Sequence, residues 1–566
     1  MISRARRRPP PGGSYTAAAR HTTAAAVGKT YEHDFRGGEN PDKSPQRPDD
    51  GHLTSGDYVL GAPAAEKAAP VPLRLEFHHP LEDWLKRREI RWLLGVLSRP
   101  GPGGRTALER MLRSYRNPAA PLWDRIKYRP IHWLIDRVRG GISPDTIRQK
   151  VVEFAPSLRG LIIAARSVAE FGLTTPQRFS FPLFVVWNFT NRCNLRCKHC
   201  YQDSAHRALA DELSRAEKLE LIDQIGREHV PMLALSGGEP TISDDLLPVV
   251  RRASRYGMHM SLATNGTTMT RELAGRLADA GLRYVEISLD SVDSARHDAF
   301  RGVAGMWRRA VEGARNVVAT PPLRLGVAMC VHQGNFHEVR EMIAFAKDLG
   351  AGCFAHFNFI PVGRGLKMVH GDISPSQREE LLALLNETMQ AGEIGVISTA
   401  PQLGRVCMAG AALEDGRVTC SHAGSGSGTK ARVVAKYLGG CGAGRTYICI
   451  EPNGNVTPCV YLPHRVMGNV REGRLADIFR NSVFWEVLND RDRRLHHCEV
   501  CAFRTYCGGC RARADAYFGQ LHAGDPGCIF NDKHWQALVD SGVAVVEDAP
   551  ADAADMRLTP TRHSPG

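Results

Sequence analysis

Three cysteines stand close together in Cys193-Asn194-Leu195-Arg196-Cys197-Lys198-His199-Cys200. The CxxxCxxC spacing keeps three soft thiolates on one short loop. Such a loop can hold three irons of a [4Fe–4S] cluster and leave the fourth without a protein ligand. Taken alone, the triplet would also suit zinc or three unrelated thiols. A second concentration comprises Cys441, Cys449, Cys459, Cys498, Cys501, Cys507, Cys510 and Cys528, whose paired CxxC units would in isolation suit a zinc ribbon. Disulfide frameworks belong mainly to small secreted domains. In a chain of 566 residues with fifteen cysteines, the clustering points instead to metal or iron–sulfur binding in a reducing, cytoplasmic setting.

The elements that must position these cysteines alternate from residue 179 to residue 395. Apolar runs at Phe184–Phe189, Met232–Leu235, Met260–Ala263, Tyr284–Leu289, Leu325–Cys330 and Phe354–Ile360 read as strands. Helical stretches lie near 213–229, 244–256, 270–280, 307–319, 336–349 and 375–390. Six βα units predict an α/β fold, a partial TIM-like (β/α)6 barrel. The unusual residues all follow the carboxyl ends of these strands: the cysteine loop, Ser236-Gly237-Gly238-Glu239-Pro240, Thr264-Asn265-Gly266, Asp290 and Gly363-Arg364-Gly365. That is the rim where βα loops assemble active sites.

A CxxxCxxC loop after the first strand and a Gly-Gly-Glu loop after the second resemble the radical S-adenosylmethionine (SAM) superfamily over roughly 180–395. The resemblance implies an enzyme whose cluster on Cys193, Cys197 and Cys200 binds SAM at its open iron. The cluster reductively cleaves SAM, and the resulting 5′-deoxyadenosyl radical abstracts hydrogen from an unactivated C–H bond. It further implies SAM contacts from Gly237, Gly238, Glu239, Asn265, Ser288, Asp290 and Arg301. Of these, Glu239 would take the ammonium, Ser288 and Asp290 the ribose side, and Arg301 the carboxylate. A side chain at Gly238 is expected to block SAM while leaving the cluster in place. His199 stands where the family usually has an aromatic residue, so packing is favoured over metal binding. No catalytic base is assigned.

The second cysteine region resembles a SPASM domain, a C-terminal module that carries auxiliary Fe–S clusters. The resemblance implies one cluster on Cys498, Cys501, Cys507 and Cys528, and another to which Cys441, Cys459 and Cys510 contribute. The fourth ligand of the latter stays open among Cys449, Cys420, Cys407 or none. A two-residue type I′ hairpin at Asn453-Gly454 would set Ile448 opposite Cys459 and turn Cys449 away. Cys330 and Cys353 read as buried structural thiols. Sulfatase-maturing relatives carry an acidic base where this chain has Val460, which disfavours that activity. The run from Cys507 to Ala514, with Asp525-Pro526-Gly527-Cys528, looks closest to enzymes of alternative haem and haem d1 synthesis. Peptide-modifying SPASM enzymes share parts of it, and the helical region before residue 175, standard in neither group, leaves a lipid-modifying relative open. The expected substrate is therefore a tetrapyrrole, lipid or peptide, and the expected electron donor a flavodoxin or ferredoxin.

The remaining segments are read as a disordered tail (1–72), a helical N-terminal region (73–178), a linker (396–440), the SPASM-like domain (441–548) and a second tail (549–566). In the helical region Leu81, Trp84, Leu85, Leu93, Leu94 and Leu97 recur at helix spacing, and Ser143-Pro144 reads as a helix start. Its tryptophans, Trp84, Trp92, Trp123 and Trp133, are expected either to pack the helices onto the barrel or to line a groove at its mouth. No run of about eighteen apolar residues predicts a membrane span. The net charge of +13 raises a rival class, a zinc-stabilised basic protein engaging nucleic acid or a membrane surface. The catalytic reading expects no nucleic acid and leaves peripheral membrane contact open.

Overall fold

Strands and helices form as the alternation requires, and the barrel gains a strand at each edge: one, at Gly395–Ser398, that the sequence reading lacks, and one, at Tyr447–Ile450, that it had assigned to the hairpin of the cysteine-rich region. The computed structural model describes residues 77–101, 104–138, 143–410, 416–419 and 424–544. The expected tails and Cys420 lie outside the described residues. Seven parallel strands run in order: β1 (Phe184–Asn188), β2 (Met232–Ser236), β3 (His259–Thr264), β4 (Tyr284–Ser288), β5 (Arg324–Val331), β6 (Cys353–Asn358) and β7 (Gly395–Ser398). Connecting helices begin on side-chain caps: Ser214 with Glu217, Thr270, and Ser374 with Gln377 before Pro375.

Along each strand, successive side chains serve opposite purposes. Leu233, Leu235, Met260, Leu262, Val285 and Ile287 are fully buried against the helices. Their neighbours Met232, Ala234, Ser236, Ser261, Tyr284, Glu286 and Ser288 are half-buried and face an interior cavity. The period of two thus separates a dry outer core from a lined inner chamber.

Residues 396–440 are not a linker. β7 overlaps their start, and helices Gln402–Gly410 and Gly428–Leu438 flank a short hairpin of β8 (Arg417–Thr419) and β9 (Ser425–Ser427). Glycine and serine content misled the sequence reading here, because these helices bury Leu403, Val406, Val433 and Ala435. Beyond them, β10 (Tyr447–Ile450) pairs in parallel with β1, followed by β11 (Asn455–Thr457) and β12 (Gly468–Asn469). The cysteine-rich region therefore continues the barrel sheet to ten strands.

The β10–β11 turn is also corrected. Cys449 pairs with Thr457, the Glu451 N–H donates to Asn455 (2.7 Å), and Gly454 sits at φ +88°. This is a three-residue loop with glycine in the left-handed position, not a two-residue type I′ turn. One extra residue moves the register by one, so Tyr447 rather than Ile448 stands opposite Cys459, and Cys449 shares their face.

The helical region folds around its own core of Leu97, Leu108, Met111, Leu112, Tyr128, Leu158 and Ile162. The Ser143 cap forms as expected, accepting from the Thr146 N–H (3.1 Å). Helix Ala155–Phe171 attaches it to the barrel through Arg159. That guanidinium donates to the carbonyls of Gly226 (2.8 Å), Val230 (2.8 Å) and Tyr256 (2.7 Å). These carbonyls precede β2 and β3, at the strands' amino ends. The region accordingly does not cover the mouth, and none of the four tryptophans lines the cavity. Trp92, Trp123 and Trp133 do not pack on the barrel either; they are 70, 81 and 62% exposed.

A buried polar chain joins barrel and cysteine region. Asp372 accepts from Arg378 (2.7 Å), Arg513 (2.6 Å) and Tyr517 (2.7 Å), and Arg513 also donates to Asp525 (3.2 Å). Asp372, Arg378, Arg513 and Asp525 are essentially inaccessible, and alternating charge lets each satisfy the next.

Candidate active site

The interior cavity measures about 450 Å3 and is bounded by two groups of cysteines: Cys193, Cys197 and Cys200 on one side, Cys441, Cys459 and Cys510 on another. The first group sits on the loop after β1, which four other strand-end loops brace. From the β3 loop, Asn265 donates to the side chain of Asn194 (2.8 Å), which in turn donates to Thr267 (2.9 Å). From the β6 loop, Arg364 donates to the carbonyls of Cys197 (3.0 Å) and Ser204 (2.7 Å), and its N–H donates to Cys200 (2.9 Å). Behind β4, the N–H groups of Arg196 and Lys198 donate to the carbonyls of Arg301 and Phe300. The Gly-Gly-Glu loop closes the fourth side: the N–H of Gly238 donates to Thr190 and that of Glu239 to Arg192.

That last contact explains the glycines. A Cβ at Gly238 would lie 2.3 Å from the Arg192 carbonyl oxygen, and Gly237 (φ +113°) would meet Thr190 O at 2.8 Å. The expectation that a side chain at Gly238 would block only SAM is corrected, because the space it needs is filled by the backbone leading into Cys193.

Of the residues expected around SAM, Gly237, Gly238, Asn265, Ser288 and Arg301 border the cavity, and Glu239 and Asp290 do not. Both acids are turned inward to hold the loops. The Glu239 carboxylate accepts from Thr241 N (3.0 Å), Thr264 Oγ1 (2.7 Å) and Asn265 N (2.7 Å), fastening the β2 loop to the β3 loop. Burial raises its pKa, against the pull of these donors. Asp290 accepts from Arg301 Nε (2.6 Å) and the Cys330 N–H (2.9 Å). Burial opposes its ionisation, but Arg301 and the nearby histidines hold it down at about 2. Arg301 is thereby fixed beside Cys197, its Nη1 3.6 Å from the sulfur. Burial alone would disfavour its charge, and Asp290 restores it.

His199 stacks on Phe300 at 4.4 Å, and Phe300 stacks on His332 at the same distance. His199 Nδ1 and Ser204 Oγ, both at the cavity wall, have no partner among the described residues. Three thiols, glycine backbone, a fixed arginine and these free polar atoms fit a three-cysteine cluster with a small polar ligand beside it. Burial pushes the Cys193 thiol up to about 12 in the absence of metal, so ligation must displace a firmly held proton.

Cys498, Cys501, Cys507 and Cys528 line a separate small cavity of about 20 Å3 together with Arg405, Arg504 and Asn531. Among the described residues, no three His, Cys, Asp or Glu side chains converge as the ligands of one metal ion do. Cys353 is buried as expected, whereas Cys330 faces the larger cavity. Cys407 is buried in the main hydrophobic core with Leu403 and Val406. Cys449 is fully buried, 3.4 Å from Glu451 Oε1.

Sequence reasoning missed the residues between the two cysteine groups. Tyr201 donates to Asn188 (2.8 Å) and meets Tyr461 edge to face at 5.2 Å, and both tyrosines line the cavity. Glu451 accepts from Asn188 (3.0 Å). Position one residue after Cys200 and two after Cys459 was the only available signal for the tyrosines.

Comparison with known proteins agrees with this geometry. A family profile described as the radical SAM superfamily matches residues 187–365, and one described as an iron–sulfur cluster-binding domain (SPASM) matches 441–502. An AdoMet-dependent heme synthase of Methanosarcina barkeri is 31% identical over 350 residues, covering 62% of this chain and 97% of that protein. A pre-heme d1 synthase of Dinoroseobacter shibae is 31% identical over 353 residues, covering 61% and 85%. The crystal structure of Streptococcus suis SuiB bound to S-adenosylmethionine matches with a TM-score of 0.53 at 16% identity, over 75% of this chain and 93% of that one, which speaks to the fold alone.

Proposed function

Because the chain belongs to the radical SAM superfamily and carries a SPASM domain, we propose that it oxidises a C–H bond on a side arm of a tetrapyrrole held in the cavity. It is an enzyme that uses a [4Fe–4S] cluster with SAM and auxiliary Fe–S clusters. The observation that carries the proposal is the single chamber of about 450 Å3 bounded by both cysteine groups. A volume in the range of ordinary ligand pockets, part of it taken by SAM, admits the reacting arm of a macrocycle. The tetrapyrrole class rests on the relatives, named as heme and pre-heme d1 synthases.

In this reading Cys193, Cys197 and Cys200 hold the catalytic cluster. When bound, the cofactors would supply a 5′-deoxyadenosyl radical that takes one hydrogen atom from the substrate, and an auxiliary cluster would accept the electron that the substrate then gives up. Gly237 and Gly238 bring backbone to SAM, Asn265 and Ser288 line its site, and Arg301 meets its carboxylate. Glu239 and Asp290 are positioning residues. Tyr201 and Tyr461 exclude water where substrate carbon must lie. Cys498, Cys501, Cys507 and Cys528 hold one auxiliary cluster. Cys441, Cys459 and Cys510 hold the other, with Cys449 as fourth ligand because it shares the Cys459 face. A flavodoxin or ferredoxin supplies the electron, and the reducing cytoplasm suits such clusters.

The test is anaerobic turnover of reduced, cluster-loaded protein with SAM and iron-coproporphyrin III. Matched formation of 5′-deoxyadenosine and a porphyrin of lower mass is expected. If tetrapyrrole carboxylates stay unchanged while a peptide or lipid is modified, the substrate class is wrong.

A further inference from the structure

Helices Leu122–Lys127 and Arg129–Val138 follow one another with only Tyr128 between them, and the His132 N–H donates to the Tyr128 carbonyl (2.9 Å). One side of the pair is internal: Tyr128 is buried, and Ile131 and Ile135 pack on the helical core. The other side is turned outward, where Leu122, Trp123, Ile126 and Trp133 are 64, 81, 54 and 62% exposed. Within the first helix Leu122, Trp123 and Ile126 share one face, and Trp133 stands one turn into the second. Four large apolar side chains so exposed and so close together need a cover other than water.

The same face is cationic. Arg125, Lys127, Arg129 and Arg137 are exposed, and the Arg137 guanidinium lies 5.4 Å from the centre of the Trp133 ring. The acids are drawn elsewhere: Asp136 accepts from Tyr115 (2.7 Å) and Arg116 (2.8 Å), and Asp124 is half-buried. Tryptophan and arginine alternating on one amphipathic surface match the boundary between lipid headgroups and acyl chains, where indole sits and guanidinium meets phosphate.

We infer that this face docks the protein peripherally on an anionic lipid surface, with Trp123 and Trp133 as anchors. A second copy is the poorer occupant, because a two-fold contact would bring the four cations against themselves. The substrate is excluded as occupant, because no residue of 77–171 lines the cavity. No described helix is long and apolar enough to cross a membrane, and this attachment needs none. The inference is independent of the tetrapyrrole reading.

Sedimentation of the full chain, loaded anaerobically, with lipid vesicles tests it. Vesicles containing about a third phosphatidylglycerol should carry the protein down, pure phosphatidylcholine should not, and added salt should release it. Trp123→Ser with Trp133→Ser should weaken partitioning about tenfold. Arg125→Gln, Lys127→Gln and Arg129→Gln together should weaken it about a hundredfold, roughly fivefold per cation. SAM cleavage in solution should stay unchanged in both variants, which shows that each is folded. No binding of the parent protein to anionic vesicles, equal binding to neutral ones, or undiminished binding of the tryptophan variant would overturn the inference. A tryptophan variant that changes oligomeric state and leaves lipid binding intact would assign the face to a second copy instead.

Discussion

The loop Cys193–Cys200 and the quartet Cys498, Cys501, Cys507 and Cys528 are both cysteine sites with opposite surroundings. The first borders a chamber of about 450 Å3, and the second closes around about 20 Å3. The first is held from outside by four loops that reach it from other strands. The second is walled by the long side chains of Arg405 and Arg504. A metal site that must take and release small molecules keeps room beside its ligands, and one that only passes electrons does not. On the proposed assignment, SAM chemistry belongs to the open site and redox relay to the closed one.

The contrast breaks most completely if the open site is emptied. Cys193→Ala, Cys197→Ala and Cys200→Ala together should abolish 5′-deoxyadenosine formation. Iron should fall by about a third from roughly twelve per chain, the content expected of three four-iron clusters. Unchanged SAM cleavage would erase the distinction. Next in size is Gly238→Val. Its branched side chain would force back the Arg192 carbonyl 2.3 Å away, at a cost of about 2–3 kcal/mol. Both SAM binding and the catalytic share of the iron should drop, with the auxiliary clusters intact by electron paramagnetic resonance.

Changing the closed site should act more selectively. Cys528→Ala should leave SAM cleavage within about threefold and lower product formation by roughly tenfold or more, as loss of a ligand to a relay cluster implies. Equal loss of both would mean that the quartet serves the open site structurally. The smallest effect sharpens the picture of the open chamber itself. Burial raises the Glu286 carboxyl from 4.5 to about 7, with Tyr284 Oη 3.5 Å away as its hydrogen-bond donor. Between those values the folded chain keeps a proton that the unfolded chain has lost, so stability falls as pH rises through the window and levels off above it. Glu286→Gln should remove that slope, with a gain on the order of 3 kcal/mol at pH ~8 and little at pH ~4. Denaturation midpoints of the two proteins at both pH values check this.

Legibility in the sequence followed the range of the interactions. The cysteines proposed to hold the catalytic cluster lie within eight residues, and the strands and helices around them alternate regularly, so the expected elements of residues 184–391 fold within a few positions of their places, while helix Ser294–Arg301 went unread. Glu239 and Asp290 were legible as residues of strand-end loops, but not that they turn away from the cavity. Whether a carboxylate faces a ligand or braces a loop depends on Thr264 and Arg301, which approach in space from other elements. The β10–β11 register turned on whether Asn453-Gly454 made a two- or three-residue loop, a local choice that decides the face of Cys449. In residues 402–438, Gly-Ser composition concealed helices that form because they bury side chains against the barrel. The exposed tryptophans departed furthest from expectation, since their helical spacing promised a packing partner within the chain.

Pairing of β1 with β10 sets a timetable for synthesis. The outer edge of β1, whose end carries the loop of Cys193, waits for residues 447–450. At ribosomal speed those emerge on the order of ten to fifty seconds later. Until then the nascent barrel exposes an unpaired parallel edge, a template for association with neighbouring chains. A product cut short after residue 395 would keep that edge permanently. The C-terminal cysteine region thus acts as the closing seam of the catalytic barrel, and shielding of β1 by a chaperone would matter most for chains still on the ribosome.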